Sequence, residues 1–233
     1  NMNFPKFTII IPIFNEKKNI VKLLKSINSK VKKLKFEIFI IDDDSTDGSQ
    51  EVISNYIKNK DNIFLVKRSK KPRDLSLSCI EGFKKSKKKF ILVMDGDGQH
   101  NPKYINSMVR IINKYDLDIV VGSRELFSKK AQGLNFFRKI SSKILILFIN
   151  FLFGKKTNDP MSGFFMFKKE IFLKNKNKLY SKGYKILFDL ITTNLKLKIK
   201  DIEINFLKRD KGYSKMNLKI LLILFFQILS KVF

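Results

Sequence analysis

Three features of this sequence predict an α/β fold with a mostly parallel sheet. Short apolar runs alternate with segments whose apolar residues recur at helical spacing, the pattern of βαβ units. Polar clusters close three of those runs, at Asn15-Glu16, Asp42-Asp43 and Asp95–Gln99, and ligands of such sheets sit beyond the carboxyl ends of the strands. The chain has 233 residues and 44% hydrophobic content, enough for one substantial core.

Taken in order, Phe7–Ile11 is a short β-branched strand that Pro12 and Asn15 are expected to stop. Lys17–Ser29 carries helical spacing at Ile20, Leu23, Leu24 and Ile27. Glu37–Ile41 is the second strand, followed by a helix through Val52, Ile53, Tyr56 and Ile57. Ile63–Val66 is the third strand, Pro72 lies in a loop, and Leu75–Phe83 is helical. Phe90–Met94 is an unbroken apolar run, read as a buried strand. Pro102 is placed to start the next helix, and Ile119–Gly122 is a fifth strand.

The fourth strand ends in Asp95-Gly96-Asp97-Gly98-Gln99-His100. Asp95 and Asp97, two apart, point the same way in extended backbone. With the Gln99 amide they form an oxygen-only ligand set of the kind that suits Mg²⁺ or Mn²⁺, a diphosphate completing the shell. An exposed acidic turn is the plainer alternative, and D-x-D alone is a weak signal. Convergence of three clusters at neighbouring strand ends strengthens the metal reading.

The formal charge is +27, from 48 Lys and Arg against 21 Asp and Glu. Only six of the 48 are Arg, and no Arg- or aromatic-interleaved basic tract supports nucleic-acid binding. An anionic membrane surface is the better-supported partner. Cys79 stands alone, so no internal disulfide forms, which suggests a reducing compartment. The start of the chain leads directly into a strand with no signal-peptide pattern.

The second half changes character. Ile140–Phe153 and Leu218–Phe233 are apolar nearly all round, each with an uncharged run of 11 residues, Ile144–Gly154 and Ile220–Ser230. A bilayer span takes about 20 apolar residues. Two readings stay open: helices in the membrane interface with basic flanks on anionic headgroups, or helices packed on each other or in a dimer contact. The domain division is a body over 1–217, containing the 140–153 helix, and a C-terminal interface helix over 218–233. The last helix reaches the chain end, leaving room for a membrane region beyond it or a transmembrane partner.

Six motifs occur in order: Ile11-Pro12-Ile13-Phe14-Asn15-Glu16, Ile41-Asp42-Asp43-Asp44-Ser45-Thr46-Asp47-Gly48, Asp95–His100, Gly122-Ser123-Arg124, Asp159-Pro160-Met161-Ser162-Gly163-Phe164 and Arg209-Asp210-Lys211-Gly212-Tyr213-Ser214-Lys215. Together they resemble the inverting family-two glycosyltransferases of GT-A fold, a Rossmann-like architecture for nucleotide-diphospho-sugars. Within them the chain is most similar to dolichol-phosphate (polyprenyl-phosphate) mannose synthases, a likeness running from Thr8 to Met216 and narrowed by Gly183–Leu187 and the closing R-x-x-G-x-S-K pattern.

The resemblance implies roles by position. Pro12, Phe14 and Glu16 line the nucleotide pocket, with Phe14 where relatives usually have Tyr. Ile41 and Asp43 contact base and ribose. Asp95, Gly96 and Asp97 meet ribose and diphosphate. Asp97 and Gln99 bind the metal, with Asp95 nearby. Arg209 and Lys215 hold the donor diphosphate or acceptor phosphate. Arg124, Arg138 and Ser142 grip the acceptor phosphate, beside a loop over Ser128–Asn135. Asp159 stands where related enzymes often carry a catalytic base, or else it orients the acceptor loop or a cation. His100 reads as structural and Cys79 as core. Ser76 and Ser78 replace glycines common in relatives, and Gly98 replaces a common Leu.

The implied reaction moves a hexose, first of all mannose from GDP-mannose, to a polyprenyl or dolichyl phosphate with inversion, on the cytoplasmic face of a membrane. A UDP-sugar donor (glucose or N-acetylhexosamine) to undecaprenyl phosphate, or another glycan acceptor, is the alternative. A phosphate acceptor is already ionised and needs positioning more than a base. Arg suits that task, since its planar fork pairs bidentately with phosphate.

Overall fold

The structure is a computed structural model. It describes residues 5–31, 34–69, 71–124, 136–180, 183, 185–194, 196–207, 226–228 and 231, apart from the side chains of 136–139 and 141. Arg209, Lys215, the loop over 125–135, the Arg138 side chain and most of 218–233 therefore lie outside the described residues.

Seven strands form one sheet in the order β3-β2-β1-β4-β6-β5-β7. They are β1 (Phe7–Ile13), β2 (Phe36–Asp42), β3 (Ile63–Lys67), β4 (Phe90–Val93), β5 (Ile119–Arg124), β6 (Phe165–Lys168) and β7 (Ile199–Ile204). All neighbours are parallel except β6, which runs antiparallel to both β4 and β5. The helices are α1 (Ile20–Lys30), α2 (Ser49–Ile57), α3 (Leu75–Lys85), α4 (Ile105–Lys114), α5 (Phe136–Phe153), α6 (Lys169–Asn175) and α7 (Ile186–Thr192). The mostly parallel α/β sheet expected from the alternation is present. The short strands β6 and β7, and helices α6 and α7, were not anticipated.

Alternation along β1 divides two cores. Ile9 and Ile11 face a layer with Leu24, Ile53 and Met108 of α1, α2 and α4. Ile10 faces Phe83, Phe172 and Leu187 of α3, α6 and α7. Such alternation, buried on both faces, is what a central strand of a covered sheet requires.

β1 continues through Pro12, which the sequence reading took as a stop. The register explains it. β4 pairs with β1 only from Phe7 to Ile10, while β2 pairs through Ile13. The Ile10 carbonyl accepts from Met94 on the β4 side, and the Ile13 carbonyl accepts from Asp43 on the β2 side. Pro12 shares the side of Ile10, past the end of β4, where no donor is called for. The chain steps outward from β1 to β2 and β3, then crosses back to β4. That reversal opens a crevice at the carboxyl ends of β1 and β4.

A third, smaller core joins Ile146 and Ile149 of α5 to Met161, Phe188 and Ile228. The opposite face of α5 stays open: Ile144, Leu147 and Phe151 are 63%, 59% and 85% exposed. Positions 144, 147, 148 and 151 fall on one helical stripe. One face of this helix is packed and the other is open. Among the described residues no helix is long and apolar enough to cross a membrane.

Candidate active site

The loops after β1 and β2 are stitched to each other. Asn15 N–H donates to Ser45 Oγ at 2.8 Å, Glu16 N–H to Ser49 Oγ at 2.9 Å, and Thr46 N–H to Asn15 Oδ1 at 2.9 Å. Asn15 and Asp44 take φ of 55° and 65°, a conformation Asn and Asp tolerate better than most residues. Asp42 is fully buried and accepts from Ser45 and Gln50, so its role is to hold this loop.

Asp43 is buried beside it. Its Oδ1 pairs with Arg68 Nη1, and its Oδ2 accepts from Asp74 N–H at 2.6 Å. Arg68 also donates to the Pro72 carbonyl at 3.1 Å, so the 68–74 loop closes over the tip of β2. The Arg73 guanidinium lies 4.5 Å from the Phe14 ring centroid. Arg73 and Lys71 both pair with Asp44, at 3.3 and 2.6 Å, and these pairs hold its carboxyl below the usual range. Sequence reasoning missed Arg68 and Arg73. Scarcity of Arg in a Lys-rich chain was the signal that could have flagged them.

At the tip of β4, Gly96 packs so close to β1 that a side chain there would meet Ile13 Cγ2. Asp97 Oδ1 accepts from Gln99 N–H at 3.0 Å. Gln99 Nε2 donates to the Leu207 carbonyl at 2.9 Å, and Leu207 N–H returns a bond to the Gln99 carbonyl at 3.0 Å. With its nitrogen so directed, the Gln99 amide keeps its oxygen for a ligand. Asp97 and Gln99 are each 8% exposed, and Asp95 sits beside them with a third of its side chain open. Two carboxylates and an amide oxygen fit a hard divalent cation. Among the described residues no cluster of three or more His, Cys, Asp or Glu side chains forms a metal site, so the set depends on that amide. A groove of about 320 Å³ between α1 and the Asp97–Pro102 turn adjoins them, lined in part by Asn19, Lys22 and Lys30.

His100 is buried, stacked on Phe164 at 5.2 Å, with Phe206 5.4 Å away on a tilted plane. Burial lowers its pKa to about 4, against the pull of Asp97 and with help from Arg124. The ring is therefore neutral near pH 7, with Nδ1 3.8 Å from Asp95 Oδ2.

The other side of the crevice comes from β5 and the turn before β6. Asp159 is fully buried. Arg124 Nε donates to its Oδ2 at 2.6 Å and Nη2 to its Oδ1 at 2.9 Å, with the Arg124 N–H 3.3 Å from Oδ2. Burial opposes the charge of Arg124, and Asp159 more than restores it, holding the guanidinium above its usual pKa. A catalytic base at Asp159, one of the two sequence expectations, is not what this geometry offers. Both its oxygens are engaged by a guanidinium, and it lies out of solvent reach. The geometry makes it the counter-ion that orients Arg124. Asp201 of β7 braces the same turn, accepting from Thr157 Oγ1 and Asn158 N–H at 2.5 and 2.7 Å. Ser162 Oγ donates to the Gly122 carbonyl at 2.7 Å. Gly163 lies so near Asp95 that any Cβ there would overlap its carboxylate. The Asp159–Gly163 turn and the acidic tip of β4 are thus in direct contact. Ser142 lies on α5, one turn after Arg138.

The structure brings Pro12, Phe14, Glu16, Ile41, Asp43, Asp95, Gly96, Asp97 and Gln99 to the carboxyl ends of adjacent strands. Arg124 and Asp159 stand across the crevice, joined to that set through Gly163 and Asp95.

The model of "Glycosyl transferase family 2" matches residues 8–175. A dolichol-phosphate mannosyltransferase of Pyrococcus furiosus is 32% identical over 213 residues, covering 91% of this chain and 59% of that protein. The dolichol-phosphate mannosyltransferase of Mycosarcoma maydis is 28% identical over 228 residues, covering 93% of this chain and 76% of that protein. The chain thus spans about three-fifths of the length of the first of these relatives. Among solved structures, a glucosyl-3-phosphoglycerate synthase from Mycobacterium tuberculosis, in complex with Mn²⁺, uridine diphosphate and glucosyl-3-phosphoglycerate, superposes with a TM-score of 0.72 at 16% identity, covering 98% of this chain and 78% of that one. The fold is that of the GT-A structures, the family match covers well over half of the sequence, and this chain belongs to glycosyl transferase family 2.

Proposed function

We propose that this chain is a metal-dependent glycosyltransferase that moves a hexose, mannose from GDP-mannose in the first instance, to a polyprenyl or dolichyl phosphate with inversion. The contact of Gly163 with Asp95 carries the reading, because it ties the acidic strand tip to the turn that holds Arg124. The names of the two curated relatives support the lipid-phosphate acceptor and the mannosyl donor.

Asp97, Gln99 and Asp95 would hold the divalent ion. When bound, such an ion offsets charge on the departing diphosphate. Phe14, Glu16 and Asp43 would line the nucleotide site, with Arg68 and Arg73 as its outer wall. Asp159 takes two of the five donors of Arg124, and the preorganised guanidinium is a fixed cation for phosphate. Arg138, Arg209 and Lys215 belong to the same proposal as further phosphate contacts, with Ser142 on α5. An acceptor phosphate arrives ionised, so the site has to position it rather than deprotonate it. The open apolar stripe of α5, flanked by Lys143, Lys155 and Lys156, suits the surface of an anionic bilayer. The cytoplasmic face is the side on which we set it.

The test is incubation with labelled GDP-mannose, UDP-glucose or UDP-N-acetylglucosamine, polyprenyl phosphate and Mg²⁺ or Mn²⁺. A lipid-extractable product with GDP-mannose is expected. Asp97→Ala should cut it by about a thousandfold while the thermal midpoint stays within a few degrees. Absence of a lipid-extractable product with every donor would overturn the reading. Product from UDP-sugars only, with a thermal shift from UDP and none from GDP, would replace the donor.

A further inference from the structure

The small third core reaches the site from behind. Met161, buried against Ile146, Ile149, Phe188 and Ile228, belongs to the turn that sets Asp159 under Arg124 and Gly163 against Asp95. Its carbonyl accepts from Lys185 Nζ at 3.2 Å. Lys185 immediately precedes α7, and its own carbonyl accepts from Asp189 N–H at 3.1 Å and Gln227 Nε2 at 3.4 Å. One turn further, fully buried Asp189 pairs with Lys231 Nζ at 2.7 Å and accepts from Tyr180 N–H at 2.9 Å. Lys231 also donates to the Lys178 carbonyl at 2.6 Å. Gln227 and Lys231 therefore hold the residue before α7 and Asp189 within it, and the residue leading into α7 grips the turn.

We propose that Lys185 is a positioning residue for sugar transfer: it holds the Asp159–Gly163 turn by the Met161 carbonyl, and the C-terminal segment holds it there through Gln227 and Lys231. The proposal rests on the transferase reading for its kinetic part. A lysine is a flexible cation, and ordering its stem is costly in entropy. An apolar side chain would cover Met161 at lower cost. Among what the ammonium adds is a charge-assisted bond to the Met161 main-chain oxygen. Met161 is midway in sequence between Asp159, which meets Arg124, and Gly163, which meets Asp95. The segment that ends the chain thus acts on the transfer site from outside the crevice.

Lys185→Met and Lys185→Arg in the full chain test this. Displacing a reacting geometry by about 1 Å costs on the order of a hundredfold in rate. Lys185→Met is expected to lower kcat by about ten- to a hundredfold, with the GDP dissociation constant in Mg²⁺ unchanged within about twofold. Amide exchange over 159–164 should accelerate in the same variant. Lys185→Arg should recover most of both. Gln227→Leu, similar in volume but without the donor, should give the same changes in smaller degree. Unchanged kcat and unchanged exchange in Lys185→Met would overturn the proposal, as would equal loss of GDP binding. Exchange and GDP binding need no turnover, so a protein that transfers no sugar would sink the transferase reading and leave this one to be decided by exchange.

Discussion

Around Asn15, Ser45 and Ser49 the chain is held by short bonds between two neighbouring loops, whereas around Met161 and Lys185 it is held by side chains that arrive from four separate elements. In the proposed function the first region is the donor side of the crevice. It stands on the two large cores, and its acids follow directly from buried strands. In the same proposal the second is the acceptor side. It rests in part on a core of five buried residues under a helix whose outer stripe is open. Local stability follows the density of buried contacts. On the proposed function, the first region is therefore expected to be the more rigid of the two, and the second the part that adjusts on acceptor binding.

The sharpest way to break this division is at the point where the halves touch. Gly163→Ala places a methyl group into the Asp95 carboxylate, which must turn out of its present position. Transfer is expected to fall by about a hundredfold, and stability by roughly 1–3 kcal/mol from overpacking. Gly154→Ala is the control. Its φ of 71° is strained for alanine, but nothing lies within 4 Å, so it should cost about 1 kcal/mol and leave kcat alone. If both variants transfer sugar at the parental rate, the halves are not coupled through this contact.

The same division explains what could be read from the sequence. Asp95–Gln99, Asp42-Asp43 and Asn15-Glu16 were legible because each directly follows an apolar run, so chain order and spatial order agree. Arg68 and Arg73 were not placed, because the 68–74 loop is located by the pairing of β3 with β2 and by the Arg68–Asp43 contact. The Arg124–Asp159 pair spans 35 residues, and it exists only because β6 enters the sheet antiparallel between β4 and β5. Four residues, Phe165–Lys168, carry that insertion, too few for a period to register. β7 was missed for the opposite reason: its Ile residues alternate with Lys, Asp and Glu on an edge strand, where the apolar signal is diluted.

Asp159 offers a test of intermediate size. If the acceptor side works by holding Arg124 in place, Asp159→Asn keeps one acceptor oxygen, loses the ion pair and leaves a buried cation. Breaking a buried pair on one side costs about 3–5 kcal/mol, and the retained hydrogen bond brings the expected loss to the lower end. The acceptor KM should rise about tenfold, while the pH profile of kcat keeps its shape. Loss of kcat by three orders of magnitude, with loss of one limb of the profile, would instead restore a base at this position.

The smallest effect is expected on the outer face of α5. Phe151 is 85% exposed and follows Ile144, Leu147 and Phe148 along one stripe, with Lys143, Lys155 and Lys156 at the ends of the uncharged run. Burying such a side chain in an apolar environment contributes roughly 1.5–3 kcal/mol, and partial insertion at a headgroup boundary realises a fraction of that. Phe151→Ser should lower binding to anionic phosphatidylserine-containing vesicles by about fivefold in a sedimentation assay. GDP affinity and the thermal midpoint should not change, because Phe151 contributes to neither large core. High salt should weaken binding of both proteins through the lysines, since screening acts on the charges and not on the stripe. Equal vesicle binding by parent and variant would mean that the open face of the acceptor side does not meet the bilayer, and the contrast between a more rigid donor side and a lipid-completed acceptor side would lose its outer half.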